Sequence, residues 1–562
     1  MKLFNRIFTP TVLAWLFPLL LAIPNIALAF TERDPLLSKC TDIILPLGVY
    51  YLLMGISVSV GRTVLFCLPL MVFAAFQIVL LHLYGESIIA IDMFLNIATT
   101  NTKEVSELLS NLIIAIITVI IIYLPPIVWA IISLIRHKFY PSAMLRPLRL
   151  TGSALTLLGL ILLAICYITL SSFSITRDIF PVNVISNMTE AVNRTIRTAD
   201  YHYTSSSYTF SPRLSHDRDI SELYVLVVGE TSRADNWQLY GYDRPTNPRL
   251  SKRDGLSIFA KTLSESNTTH KSVPMMLSPL TSDNFGDSIY FTKGICAAFN
   301  EAGFNTAFFS NQQRNHSFID FFANQAQTTE FIRDNNPGAL DDRLVVRLKE
   351  FVDKSPADKL FVVLHCYGSH FNYRERYNDS NRKFTPDDAS EASSMNRVEL
   401  INAYDNSILF TDAVIDDLIA YIDSLDIPAA VIYTSDHGED IFDDSRDRFL
   451  HASPTPTFSQ IHVPLLVWTS HPYRSQFPEA VSILDNHTDQ NVSSSASVFP
   501  TMLSLAGIIS PKVDPGADLS SPYYTEPSRR YLNDYNEGVD LQEAGLRDFD
   551  FKKAKENNIS TL

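Results

Sequence analysis

Long apolar runs are confined to the first 171 residues, whereas the remaining chain alternates apolar and polar positions. Each run is close to the roughly 20 residues that a helix needs to cross a bilayer core. They predict five transmembrane helices, at Thr11–Ala29, Ile43–Val60, Val64–Tyr84, Leu112–Ile135 and Leu150–Leu170. The first run also has the basic start and Ala-Leu-Ala-Phe end of a cleaved signal peptide. The four runs that follow it favour a retained anchor.

Basic residues near these runs predict the orientation of the membrane domain. Lys2 and Arg6 precede the first run, Arg62 lies between the second and third, and Lys138 lies between the fourth and fifth. Segments that carry Lys and Arg stay on the cytoplasmic side, so five crossings bring the chain outside from Ser171 onward. For a bacterial chain this predicts a multi-pass inner-membrane protein with a periplasmic domain.

The composition changes again after the fifth run. Residues 172–220 are rich in Ser, Thr, Arg and Tyr and predict an amphipathic or surface-lying linker. From 221 to 562, short apolar runs alternate with helical patterns, which is typical of an α/β fold with a mainly parallel sheet. The predicted strands are Tyr224–Val228, Ile258–Ala260, Thr306–Phe309, Phe361–His365, Ala430–Thr434 and Val463–Trp468, and the predicted helices include Ile295–Ala302, Leu340–Val352 and Glu399–Ser424. We expect the charged tail from Glu537 to fray.

Charge and cysteine content narrow the possible partners. The formal net charge of −15 argues against nucleic acid, which requires a basic face. The five cysteines leave at most one intramolecular disulfide in the outer domain, and whether Cys296 and Cys366 pair stays open. A domain of this size has enough core to fold without one. We expect a monomer.

Two buried-strand patterns stop abruptly at metal-binding side chains. Glu230 follows Leu223–Gly229, and Asp436 and His437 follow the run that begins at Val431. Buried parallel strands present functional side chains at their carboxyl ends, so two neighbouring strands can direct these three side chains to one point. Carboxylate and imidazole suit a zinc-type cation. The sequence therefore predicts a metalloenzyme.

A catalytic zinc keeps one position for a reactive group, and Thr269 is the best candidate. It precedes a helical pattern formed by Val273, Met276, Leu277 and Leu280, with Pro274 suited to the first turn of that helix. A hydroxyl at a helix amino terminus experiences partial positive charge, and zinc would lower its pKa much further. The neighbouring Thr268 is the alternative nucleophile.

The chain resembles the alkaline phosphatase–sulfatase superfamily between Leu223 and Trp468. Within it, the chain resembles bacterial phosphoethanolamine transferases, including the lipid A modifying and mobile colistin-resistance enzymes. The motifs that carry the resemblance are Gly229-Glu-Thr-Ser-Arg233, Tyr240–Pro248, Thr269-x-x-Ser-Val-Pro274, His365-x-x-Gly-Ser-His370, Ser435-Asp-His-Gly-Glu439 and His451. The resemblance implies an α/β/α sulfatase-like domain after five membrane spans. It also implies Zn²⁺ held by Glu230, Thr269, Asp436 and His437, with Thr269 carrying a covalent phosphoethanolamine.

Further roles follow from the resemblance alone. His370 and His451 match positions that bind substrate, transfer protons or hold a second metal. Asn96, Thr100 and Glu104, in the polar segment after the third run, match a triplet that binds the ethanolamine-phosphate donor, and their spacing places them on one helical face. Two departures are visible: Met275 stands where many members have Cys, and Ser310–Arg314 aligns only loosely with the family's polar substrate loop.

The resemblance implies transfer of phosphoethanolamine from phosphatidylethanolamine to an envelope acceptor. Lipid A, a core sugar of lipopolysaccharide and a periplasmic glucan all remain open as acceptors. Phosphoglycerol transfer, as in lipoteichoic acid synthases, is the alternative reaction, and a catalytically inactive membrane sensor is the alternative from another class. A sulfatase reaction is disfavoured, because no Cys/Ser-x-Pro-x-Arg motif surrounds Thr269.

Overall fold

The computed structural model describes residues 9–99, 112–216, 220–355 and 357–559, with backbone alone at 96–99. The chain forms two compact units. Unit one contains Met1–Arg194 and the short segment Asp444–Arg448, and unit two contains Thr195–Asp443 and Phe449–Leu562. The division of the chain at 171 and 220 stays a prediction.

Unit one is helical. Its helices within the described residues are Pro10–Leu21, Ile23–Thr31, Leu36–Met54, Val60–Phe66, Leu68–Tyr84, Ile91–Thr99, Ile113–Ile135, the 3₁₀ turn Ser142–Met144, Leu145–Thr169, Ile175–Asp178 and most of Val182–Ala199. Within the described residues, four stretches are long and apolar enough to span a membrane, namely Pro10–Thr31, Leu36–Met54, Ile113–Ile135 and Ser142–Thr169. The pair Val60–Phe66 and Leu68–Tyr84, bent by 56°, makes a fifth if it counts as one span. The prediction of an apolar helical amino-terminal domain is confirmed, with four to five spans.

Glycines let two of these spans pack closely. A Cβ on Gly48 would lie 2.5 Å from the backbone nitrogen of Thr156, and one on Gly152 would lie 2.8 Å from that of Leu52. Inside a bilayer, close van der Waals packing replaces the hydrophobic effect as the force between helices. The small residues of Leu36–Met54 and Leu145–Thr169 therefore allow the two helix backbones to approach.

Unit two is built on a seven-stranded sheet. We number its strands in chain order: β1 Glu222–Gly229, β2 Leu256–Ile258, β3 Asn305–Ser310, β4 Thr328–Phe331, β5 Lys359–His365, β6 Ala429–Ser435 and β7 Leu465–Thr469. Their order in the sheet is β2-β7-β6-β1-β5-β3-β4, and β7 alone runs against the others. The prediction of a mainly parallel sheet is confirmed. The sequence missed β4, since its Thr-Thr-Glu-Phe pattern belongs to a half-exposed edge strand without an apolar run.

Helices cover both faces of this sheet. Alternate residues of β1 enter two cores, with Tyr224 and Leu226 in one and Val225 and Val227 in the other. The helices of unit two are Tyr201–Thr204, Thr269–Met276, Phe285–Ser288, Ile295–Glu301, Phe318–Ala323, Ile332–Asn335, Asp342–Lys354, Arg397–Asp423, Phe458–Ile461, His471–Gln476, Pro478–Asn486, Ser494–Leu505 and Asp548–Glu556. Single 3₁₀ turns lie at Ala234–Asn236, Gln238–Tyr240, Leu250–Lys252, Tyr373–Arg376, Asp379–Asn381 and Ser394–Asn396, and short strands at Arg213–Leu214, Thr262–Leu263, Asp440–Ile441, Phe449–Leu450, Val492–Ser493, Ile508–Ile509, Arg530–Leu532 and Gly538–Asp540. The result is an α/β/α arrangement.

Between Glu537 and Ile559 the chain forms regular elements, so the expectation that it frays from Glu537 is wrong. Gly538–Asp540 pairs with Arg530–Leu532, and Asp548–Glu556 forms a helix. Apolar residues spaced among the charges, including Leu546 and Ala554, join a buried cluster with Phe458. Because most residues of the tail are charged or polar, these few apolar positions could not be recognised from the sequence.

Ala554→Asp should destabilise the protein, because residue 554 is fully buried in that cluster. Placing a carboxylate there without a partner should cost roughly 3 kcal/mol, seen as a lower Tm of the full chain in detergent. Lys552→Asp is the control, since Lys552 is exposed on the same helix. Equal Tm values for the two variants would contradict the packing of the tail.

Candidate metal centre

The register of the sheet brings the predicted ligands together. In the parallel pairing of β1 with β6, Gly229 lies opposite Ser435. The next residues, Glu230 and Asp436, therefore leave the sheet side by side. His437 Nε2 lies 3.5 Å from Glu230 Oε1 and 3.3 Å from Asp436 Oδ2. The structure thus places the three predicted ligands around one point.

Thr269 also reaches this point. Its Oγ1 lies 3.3 and 3.4 Å from the two carboxylate oxygens of Glu230 and 3.1 Å from His437 Nε2. The hydroxyl of Thr268 instead contacts Ser266 Oγ at 3.0 Å. The geometry therefore favours Thr269 over its neighbour.

The helix at Thr269 begins earlier than the sequence predicted. It spans Thr269–Met276, so Thr269 is its first residue and Pro274 lies in the second turn rather than the first. The predicted helix start was wrong because the apolar spacing that signals the helix begins only at Val273. Thr269 nevertheless remains at the positive end of the helix dipole.

Main-chain contacts fix how His437 and Glu230 face the centre. His437 Nδ1 lies 2.9 Å from the carbonyl oxygen of Gly438, so Nδ1 carries the proton and the lone pair of Nε2 faces the carboxylates. The carbonyl oxygen of Glu230 accepts from the amide of Ser369 at 2.9 Å. Gly368 has a φ of +56°, and a Cβ there would lie 2.4 Å from that carbonyl oxygen. Glycine is therefore required beside Glu230.

The electrostatics of the centre call for a cation. Burial raises the pKa of Glu230 to about 7, helped by the charge of Asp436, and burial raises the pKa of Asp436 to about 7. Burial lowers the pKa of His437 to about 4, so the imidazole is neutral. Among the described residues, no lysine or arginine forms an ion pair with either carboxylate. Two buried carboxylates, a neutral imidazole and a hydroxyl fit the donor set of a zinc ion.

His451 lies beside the centre, and His370 lies beside His451. The ring centroid of His451 is 4.2 Å from that of His437, and that of His370 is 5.7 Å from that of His451. Ligand atoms of Glu230, His437 and His451 all lie within 4.8 Å of one another. Burial and the neighbouring His370 lower the pKa of His451 to about 3. The structure thus adds His451 to the groups that could hold a metal.

Two residues to which the sequence assigned no role support the centre. Gln312 Nε2 donates to Glu230 Oε2 at 3.1 Å and to the carbonyl oxygen of Cys366 at 3.0 Å. Glu439 lies 3.2 Å from His451 Nδ1 and accepts from the hydroxyl of Tyr373 at 2.7 Å. The available signal was position, because Gln312 closely follows the carboxyl end of β3, as Glu230 follows β1.

The residues predicted to bind the donor lie at the edge of the described part of the chain or beyond it. Asn96 belongs to the helix Ile91–Thr99, whose final side chains are not described, while Thr100 and Glu104 lie outside the described residues. Their donor-binding role stays a prediction. All five cysteines are free, and Cys296 and Cys366 belong to cores on opposite faces of the sheet.

Comparison with known proteins identifies the family. Residues 222–508 match the family described as sulfatase. The chain belongs to the sulfatase family. A relative named phosphoethanolamine transferase EptA, from Salmonella typhimurium, is 32% identical over 317 residues, which are 54% of this sulfatase-family chain and 56% of the relative. The chain thus spans about half the length of that relative, and the predicted resemblance to phosphoethanolamine transferases is confirmed.

Two solved structures share the fold. The integral membrane protein lipooligosaccharide phosphoethanolamine transferase A from Neisseria meningitidis superposes with a TM-score of 0.70 at 22% identity, covering 91% of this chain and 97% of that one. The periplasmic domain of EptC from Escherichia coli, in complex with Zn, superposes with a TM-score of 0.54 at 24% identity, covering 60% of this chain and 97% of that one. The predicted architecture of apolar helices followed by a sulfatase-like domain is confirmed.

Asp436→Asn should stabilise the protein relative to the parent when no metal is bound, and it should remove most of the stabilisation that zinc gives the parent. Since burial raises the pKa of Asp436 to about 7, ionising it costs folding free energy, and this cost is fully present above pH 7. At pH 8 in chelator, the variant should therefore unfold about 3 °C above the parent. With zinc added, the parent should gain Tm and the variant should gain little. A variant that still gains Tm with zinc like the parent would remove Asp436 from the ligand set.

Proposed function

We propose that this chain is a zinc-dependent enzyme that transfers phosphoethanolamine from phosphatidylethanolamine to an envelope acceptor. The observation that carries the proposal is the position of Thr269 Oγ1, within 3.4 Å of Glu230 and 3.1 Å of His437. A hydroxyl among buried carboxylates and an imidazole is a nucleophile placed at a metal centre. The relatives' names supply the substrate class.

In the proposed mechanism Thr269 Oγ1 attacks the phosphorus of the donor in line. The Oγ1–P bond forms, the bond from phosphorus to the diacylglycerol oxygen breaks, and phosphoethanolamine remains on Thr269. Zinc, held by Glu230, Asp436, His437 and Thr269, would supply positive charge that lowers the pKa of the hydroxyl and offsets charge on the phosphoryl oxygens. The acceptor hydroxyl or phosphate then attacks the adduct and frees Thr269.

Proton transfer in both steps is assigned to His370 or His451. His451 Nδ1 faces Glu439 Oε1 at 3.2 Å, which places the proton on Nδ1 and leaves Nε2 as the basic nitrogen. Such a nitrogen takes the proton of Thr269 Oγ1 and passes it to the departing diacylglycerol oxygen. In the second step it takes a proton from the acceptor and returns it to Thr269 Oγ1. Glu439 thereby orients the base without touching the reacting atoms.

The proposed location follows from the fold. Apolar helices before the sulfatase-like domain support a location in the bacterial inner membrane with the catalytic domain in the periplasm, where a lipid donor would be held beside the site at high effective concentration. We assign donor binding to Asn96, Thr100 and Glu104. Lipid A is the first acceptor to test, followed by core sugars and periplasmic glucans, and phosphatidylglycerol serves as the alternative donor.

Thr269→Ala should lower transfer by about 10⁴-fold or more, because it removes the attacking oxygen. Without acceptor, the parent should accumulate a phosphoethanolamine mass on the peptide that contains Thr269, measured by mass spectrometry. Thr268→Ala is the matched control and should keep both the adduct and most of the activity. An adduct on residue 268, or activity retained in Thr269→Ala, would contradict the assignment.

Gln312→Leu should weaken zinc binding and activity about 10- to 100-fold, as the loss of a hydrogen bond to a metal ligand typically does. Gln313→Leu supplies the control, because Gln313 is exposed one residue further along. Competition with a chelator measures the zinc affinity, and donor turnover measures the activity. If the two variants bind zinc equally well, Gln312 does not position Glu230.

A further inference from the structure

The helix Val182–Ala199 has its apolar and polar residues in unusual places. Its buried face combines the polar residues Asn183, Asn187 and Arg194 with the apolar residues Val184 and Ala191. Three apolar residues, Ile185, Met188 and Val192, are exposed by 46%, 37% and 53%. At 3.6 residues per turn these three fall within an arc of about 60°. We call Ile185, Met188 and Val192 the apolar stripe.

The helix has three distinct faces. Exposed polar residues, Thr189 and Asn193, lie on the side of the apolar stripe away from the buried face. A helix in water turns its apolar side towards protein, whereas this one leaves the apolar stripe exposed beside the exposed polar residues Thr189 and Asn193. A helix at the boundary between lipid and water needs this division.

Hydrogen bonds fix Phe180, just before this helix, beside the ends of two spans. The amide of Phe180 donates to Asp42 Oδ1, and the carbonyl oxygen of Phe180 accepts from Asn25 Nδ2, both at 2.8 Å. Asn25 lies six residues before the end of Pro10–Thr31, and Asp42 lies six residues after the start of Leu36–Met54. At 1.5 Å per residue, Phe180 is level with positions about 9 Å inside both helices.

A third contact holds the helix against unit one. Asn187 Nδ2 donates to the carbonyl oxygen of Ile89 at 2.8 Å, and both groups are buried. This bond fixes the rotation of the helix about its axis, since it faces Asn187 inward and the apolar stripe outward. The stripe is thus exposed, as are apolar residues of the spans such as Ile161 and Ile168.

We propose that Val182–Ala199 is an interfacial helix whose apolar stripe inserts into the acyl-chain boundary of the outer leaflet of the inner membrane. Such helices bury their apolar face about 5–10 Å below the headgroups, which agrees with the depth of Phe180. The inference uses the proposed membrane location but not the transfer reaction. Its failure would therefore leave the metal centre untouched.

Oxidation of native methionines tests the proposal in the unaltered chain. Met188 lies in the stripe, and Met395, in unit two, is 85% exposed and serves as the control. In nanodiscs of phosphatidylethanolamine and phosphatidylglycerol, a charged water-borne oxidant such as chloramine-T should convert Met395 to the sulfoxide at least about ten-fold faster than Met188. The difference in exposure accounts for roughly two-fold. Comparable rates would overturn the proposal.

Tryptophan quenching identifies what covers the stripe. Val192→Trp and Asn193→Trp place a probe on the apolar and the polar exposed face. In nanodiscs whose lipids are brominated on the acyl chains, the added emission should be strongly quenched at 192 and nearly unaffected at 193. Equal quenching would overturn the proposal. Protection of Met188 without quenching at 192 would also overturn it, since another protein molecule would then cover the stripe.

Discussion

The alignment of β1 with β6 is the constraint on which the rest of unit two depends. Because Gly229 and Ser435 are partners in the sheet, Glu230 and Asp436 must emerge together into a buried space. Neither carboxylate can turn to solvent, and burial alone penalises their ionised forms. A bound cation is the group that would make this arrangement favourable. The pairing of β1 with β6 alone therefore imposes the free-energy cost of burying two carboxylates side by side.

The turn that follows the neighbouring strand β5 holds the main chain of Glu230 in place. Asp341 accepts from the amides of Tyr367 and Gly368, both at 2.8 Å. These amides follow β5, and the same turn lets Ser369 donate to the carbonyl oxygen of Glu230. Strands β1, β5 and β6 thus all contribute main-chain contacts to the centre. Such support fixes ligand geometry more tightly than side chains on a free loop could.

Sequence reasoning succeeded where a local pattern carries the information. The convergence of Glu230, Asp436 and His437 could be predicted because they follow buried strands, and parallel strands present their ends at one edge. Their role as metal ligands stays a prediction. No role could be predicted for Gln312, because its contact with Glu230 joins residues that follow two different strands of the sheet. The start of the helix at Thr269 was missed because polar residues occupy its first turn. The tail from Glu537 was misjudged because its few apolar residues pack against distant partners such as Phe458.

The two units differ in the side chains that they leave exposed. In unit two, apolar side chains fill both cores, and the acidic ligand side chains are buried where they converge. In unit one, buried polar contacts such as Asn25 with Asp42 hold the helices, while apolar residues such as Ile121 and Leu157 remain exposed. Water favours the burial of apolar surface, whereas the hydrocarbon of a bilayer favours the burial of polar groups. In the interfacial position proposed above, Val182–Ala199 meets both conditions on one helix, since Asn187 is buried while the apolar stripe and Asn193 are exposed. A single amphipathic pattern therefore has to be interpreted together with the solvent that each face meets.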